Sequence, residues 1–126
     1  MTMRHGLLLA AFAFAPPVLA CGVCIEDKIA VTYDHAVVMR AAARHQVVVF
    51  AALDGFGDAQ ALARDARNAA AGVRGVDRDS VRAAAEPPAL SFALDPSTQS
   101  AEAAMHQIEK RAATPGLKLT LLRVMN

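Results

Sequence analysis

Val47-Val48-Val49-Phe50-Ala51-Ala52-Leu53 carries an apolar side chain at every position. Side chains of a strand alternate between faces, so an unbroken apolar run predicts a strand covered on both sides, the centre of a sheet between two layers. Working outward, Asp54-Gly55-Phe56-Gly57-Asp58 breaks the run, and Asp58 suits a helix N-cap. Ala59 to Ala71 predicts a helix with Leu62, Ala66, Ala69 and Val73 on one side, ended by Gly72 and Gly75. Val81 to Ala85 reads as a short strand and Glu86-Pro87-Pro88 as a turn. Ala89 to Leu94 alternates Leu90, Phe92 and Leu94 against the small Ala89, Ser91 and Ala93, a strand with one bulky and one flat face. Asp95-Pro96 predicts an N-cap and a first-turn proline for a helix over Ser97 to Ala112, burying Ala101, Ala104, Met105 and Ile108. Thr114-Pro115-Gly116 stops it, and Leu117 to Val124 is the last strand.

The order β-α-β-β-α-β is the ferredoxin-like arrangement of an α+β sandwich. It spans residues 46–126 and is preceded by an N-terminal helix in the segment 21–45. Ile25 to Arg44 contains neither Gly nor Pro and carries Ile25, Ile29, Tyr33 and Ala36/Val37 at helical spacing. Glu26 and Asp27 at its start and Arg40 and Arg44 at its end suit the helix dipole. The spacing predicts one helix of about five turns, ~30 Å long. Both later helices cover one face of the sheet, so this helix is the expected cover for the other, over Ala89, Ser91 and Ala93. A short connection at His45 makes it antiparallel to the 47–53 strand and sets its start beside the 54–58 loop.

Cys21-Gly22-Val23-Cys24 heads that helix, a C-x-x-C motif holding both cysteines of the chain. A helix start favours thiolate through its dipole and free N–H groups. Three uses are open: paired thiolates holding a soft ion such as Cu(I), which accepts few ligands; a dithiol/disulfide cycle; or a structural disulfide. A tetrahedral zinc site lacks its second Cys/His pair. His35 lies eleven residues past Cys24, about 16 Å along a helix, and reads with Asp34 as a solvated or capping pair. Met39 reads as packing. Glu26, Asp27, Asp54 and Asp58 are the acids that the expected geometry gathers around Cys21 and Cys24, although each also has an ordinary explanation as a cap, turn or dipole partner.

Residues 1–20 read as an export signal. Arg4 lies in the short opening segment, Gly6 to Ala15 is apolar, Pro16-Pro17 ends the run, and Val18-Leu19-Ala20 sets small or apolar residues before Cys21. The apolar run is too short to span a bilayer. This implies a periplasmic or secreted protein. Val18-Leu19-Ala20-Cys21 also resembles the lipobox of bacterial lipoproteins, with valine where leucine is usual; lipid on Cys21 would anchor the chain to a membrane and remove one thiolate.

With 126 residues there is room for one folded domain, and a net charge of +1 leaves no field for nucleic acid. No carboxylate pair, Ser/His arrangement or phosphate loop is visible, so the chain reads as a non-enzyme.

Three stretches resemble the heavy-metal-associated (HMA) domain family: Gly72-Val73-Arg74-Gly75-Val76 followed by Val81, then Leu90-Ser91-Phe92-Ala93-Leu94-Asp95-Pro96, then Ser100 to Lys110. The likeness covers 46–124 and implies a ferredoxin-like domain that handles soft metals. The family carries M-x-C-x-x-C in the loop after its first strand, whereas 53–58 here contains no cysteine. The family's ligands therefore transfer to no residue of that loop.

Two readings stand. One is an exported metal-handling protein with Cys21 and Cys24 as ligands, its cargo Cu(I) or another soft ion. The alternative is a non-catalytic interaction module with a protein partner, lipid-anchored through Cys21. A thioredoxin-type oxidoreductase is third, because no strand leads into the C-x-x-C.

Overall fold

The computed structural model describes residues 24–126. Two helices, α1 (Ile25–Ala30) and α2 (His35–Ala43), precede β1 (Val47–Asp54); α3 (Ala59–Ala71), β2 (Arg82–Ala85), β3 (Pro88–Leu94), α4 (Ala101–Arg111) and β4 (Lys118–Met125) follow. The four strands form one antiparallel sheet in the order β2-β3-β1-β4. The chain is thus α+β, with β1 central as its two-sided apolar run requires.

One face of the sheet carries Val49, Ala51, Leu53, Leu90, Phe92 and Leu94, packed under Leu62, Ala66 and Ala70 of α3 and Ala104 and Ile108 of α4. Asp58 caps α3 by accepting from Ala61 N at 3.1 Å, and Gly72 ends it. The predicted cap of α4 is corrected. Asp95 accepts from Ser97 N and Oγ and from Thr98 Oγ1, closing a separate turn. Ser100 takes the cap, accepting from Ala103 N at 3.1 Å. Asp95 lost to Ser100 because its short carboxylate satisfies the nearest donors first.

Asp65 of α3 ties down the exit of α4 through Ala113 N at 3.0 Å and Thr114 N at 2.7 Å. Burial pushes its carboxyl up, but hydrogen bonds from Thr114 and Ala113 outweigh that and hold it below the usual carboxylate range. Its folded value lies below the unfolded one, so its stabilisation is present above the unfolded pKa and is lost as pH falls through the folded value. Asp65→Ala is expected to cost on the order of 1 kcal/mol at neutral pH in urea unfolding, with the gap to wild type closing towards pH 2. A gap that does not change with pH would contradict this assignment.

The other face carries Val48, Phe50 and Ala93, packed against Ile29 of α1 and Val37 and Ala41 of α2. The N-terminal segment covers this face as expected, but it is two helices at an angle rather than one. Phe50 pairs in register with Arg123 on β4 and Ser91 on β3, and Ser91 pairs with Arg82 on β2. These four residues make a row across the strands, and residues 26–34 lie along it. Arg123 meets Glu26. Tyr33 stacks near-parallel to Phe50, with ring centroids 6.5 Å apart. Ser91 Oγ donates to Thr32 O at 3.2 Å, and Arg82 Nε and Nη2 reach Asp34 Oδ2 at 3.2 and 3.1 Å.

This row explains the helix break. The Thr32 carbonyl is turned to Ser91. Asp34 accepts from Ala36 N and Val37 N, opening α2 as its N-cap. The stripe expected of one helix splits accordingly: Ile29 and Val37 are buried, whereas Ile25 and Tyr33 are exposed. Only α2 runs back along the sheet. It is pinned by Arg40 and Arg44 to Asp77 and reverses into β1 through His45 at φ 56°.

Candidate functional site: the thiol at the head of α1

Cys24 is the N-cap residue of α1, with φ −66° and ψ 164°. Its carbonyl accepts from Asp27 N at 3.1 Å and Lys28 N at 3.2 Å, which fixes its backbone to the helix. The side chain makes no cap bond; Sγ is exposed and donates to Asp27 Oδ2 at 3.2 Å. Cys21, and with it the predicted signal segment 1–20, lies outside the described residues. The helix behind Cys24 has six residues, under two turns, so the long dipole expected of a five-turn helix does not stand behind the thiol.

The four acids expected near the thiols lie in two places. Asp27 touches Cys24, and Glu26 lies in the same turn with its carboxylate forked onto the Arg123 guanidinium. Asp54 and Asp58 are elsewhere. Asp54 is the last residue of β1, opposite Lys118, and Asp58 caps α3. The reason is the crossing angle of α1. Glu26 is tied to Arg123, which is opposite Phe50. From Phe50 the strand runs four residues to Asp54, about 13 Å. An antiparallel helix would have carried the thiol along that distance; a transverse one carries it out over β4 instead.

His35 faces Tyr33, its Nδ1 3.2 Å from the phenol oxygen. Met39 was expected to pack but stands 58% exposed on the outer side of α2. Among the described residues no three His, Cys, Asp or Glu side chains gather as a metal-binding group. Cys24 taken together with Cys21 would make a two-thiolate set, which suits an ion of low coordination number.

Between α1 and β4 lies an open groove of about 350 Å³ lined by Ile29, Ala30, Tyr33 and Met125, together with the paired Glu26 and Arg123. Sequence reasoning missed this feature. Arg123 and Met125 are ninety-seven and more residues from Glu26, and only the register of β4 against β1 brings them to α1. No helix among the described residues is long and apolar enough to cross a membrane.

No family model matches this chain, and no curated protein or solved structure matches it.

Proposed function

We propose that the chain is an exported metal-handling protein that carries a soft ion such as Cu(I) between Cys21 and Cys24, on a ferredoxin-like domain similar to the HMA family. The carrying observation is the state of Cys24: an exposed Sγ on a backbone fixed by two cap hydrogen bonds. Such a thiol is accessible to an incoming ion and is held by a helix docked on the sheet. The strand order β2-β3-β1-β4, with α3 and α4 on one face, is compatible with the ferredoxin-like arrangement. The chain departs from the family resemblance in the position of its C-x-x-C, which lies upstream of the domain, with Cys24 at the head of a helix on the opposite face of the sheet from α3 and α4.

The test is an intact mass, native and denatured, of the protein exported from a bacterial host with its own leader. The expected result is an unmodified chain from Cys21 onward that retains one copper in the native spectrum. Cys24→Ser should lose the metal and keep its fold, because an exposed substitution with one local contact shifts stability by about 0.5 kcal/mol or less. A two-hydrogen deficit without metal would replace this reading with a disulfide.

A second reading, a non-catalytic interaction module, is favoured by the apolar groove between α1 and β4. A lipid-sized addition on Cys21 would select it, since a thioether sulfur cannot serve as the second thiolate.

A further inference from the structure

On the face of the molecule away from α1, the end of α3, the segment before α4 and the last turns of α4 enclose a concavity of about 310 Å³ lined by Gly72, Val73, Arg74, Thr98, Gln99, Gln107 and Arg111. We infer that this concavity binds a small phosphate-type oxyanion, held by the guanidinium groups of Arg74 and Arg111.

Charge is the first argument. Two lining residues are cationic, four are neutral polar residues or glycine, and no acid lines the site. Among the described residues neither arginine forms an ion pair, while four other arginines do. The acids nearest in sequence are engaged elsewhere: Asp77 pairs with Arg40 and Arg44, Glu109 accepts from Leu119 N, and Asp95 accepts from Ser97 and Thr98. Glu102 is exposed in the first turn of α4 and does not line the site. The carboxyl end of α3 opposes an anion with about half a charge, and the two guanidinium charges outweigh it.

Construction is the second argument. A Cβ on Gly72 would stand 2.7 Å from Arg111 Nη2, 3.2 Å from Nε and 3.3 Å from Cζ, so the whole guanidinium lies over this glycine. Gln107 and Arg111 are one turn apart on α4 and share its face. The opposite wall is fixed: Gln99 Nε2 donates to Arg74 O at 2.6 Å, and Asp95 N donates to Gly75 O at 2.9 Å. Gly75 itself has φ +90°, and a Cβ there would strike Thr98 at 2.9 Å. Two glycines thus permit the close approach of the walls that sets both arginines on one opening. A guanidinium fork matches a phosphate or carboxylate edge bidentately, and phosphate offers edges to two forks at once.

The experiment is an amide-resolved NMR titration of the full chain with inorganic phosphate and separately with phenyl phosphate, against sodium chloride at matched ionic strength. Saturable shifts at Gly72, Arg74, Thr98 and Gln99 are expected with phosphate and not with chloride. Arg111→Gln and Gly72→Ala should each weaken binding about tenfold; Lys118→Gln should leave it unchanged. Gly72 has φ −93°, so alanine fits the backbone and reads only the displaced guanidinium. Tighter binding of phenyl phosphate would identify a phosphate monoester as the ligand; equal binding would identify free phosphate. Shifts that track ionic strength alike for phosphate and chloride, or an unchanged Kd in Arg111→Gln, would overturn the inference.

Discussion

Phe92→Ala is expected to lower the unfolding free energy by about 3–5 kcal/mol. Phe92 is 0% exposed at the middle of β3, in the cluster shared by β1, α3 and α4. Nothing nearby can collapse into the space. Its neighbours Val49, Leu90 and Leu94 are fixed by strand register, and the facing helices present Ala66, Ala70 and Ala104, whose side chains cannot extend. The lost transfer energy is then joined by the cost of a cavity that remains open. Against a total stability of about 5–15 kcal/mol for a domain of this size, the loss is a large fraction of the whole. Urea unfolding followed by circular dichroism should show a lower midpoint with an unchanged slope. A loss under 1 kcal/mol would mean that the alanine-rich helices close over the gap.

Phe50→Ala is expected to cost a similar total, about 3–5 kcal/mol, but to act on a different part of the molecule. Phe50 is 1% exposed on the opposite face of β1, under Ile29 and Val37 and against the ring of Tyr33. It belongs to the smaller cluster, whose helices α1 and α2 have six and nine residues and contribute Ile29, Val37 and Ala41 as their buried side chains there. Helices so short are not stable without their tertiary contacts. Removing the ring should therefore release 25–44 from the sheet before α3 and α4 are affected. Native-state hydrogen exchange is the measurement: amides of α1 and α2 should lose protection by a larger factor than those of α3 and α4. An even loss across all four helices would show that the two faces unfold as one unit. Because Cys24 is carried by α1, the same variant should also leave the thiol on a helix no longer docked.

Much of the sandwich was readable because its signals are local. The run at 47–53, the alternation at 89–94 and the stop at Thr114-Pro115-Gly116 need no partner to be interpreted, and the strands and helix α3 lie where they point. Asp58 as the cap of α3 was legible for the same reason, since an N-cap bonds donors within three residues. Asp95 had the same local appearance and still gave way to Ser100, because a carboxylate before a proline serves a turn as readily as a helix.

The N-terminal segment was less legible. Its apolar spacing shows that residues 25–44 bury a helical stripe, and the small Ala89, Ser91 and Ala93 show that something packs closely on that face. Neither signal contains the angle of approach. That angle is set by Glu26 on Arg123, Thr32 on Ser91 and Asp34 on Arg82, three contacts to three different strands at sequence separations of 48 residues or more. They turn α1 across the strands, break the helix at Thr32–Asp34, and part Cys24 from Asp54 and Asp58.

The sequence by itself determined the layers: a two-sided central strand, bulky side chains on one face, small ones on the other, and a thiol at the head of the segment that covers them. These follow from the periodicity of side chains along one element, which is a property of neighbours in the chain. The tertiary structure alone decided what surrounds that thiol, and which arginines share the opening between α3 and α4. Those arrangements depend on strand register and on the crossing of helices over the sheet, where residues far apart in the chain compete for the same partners.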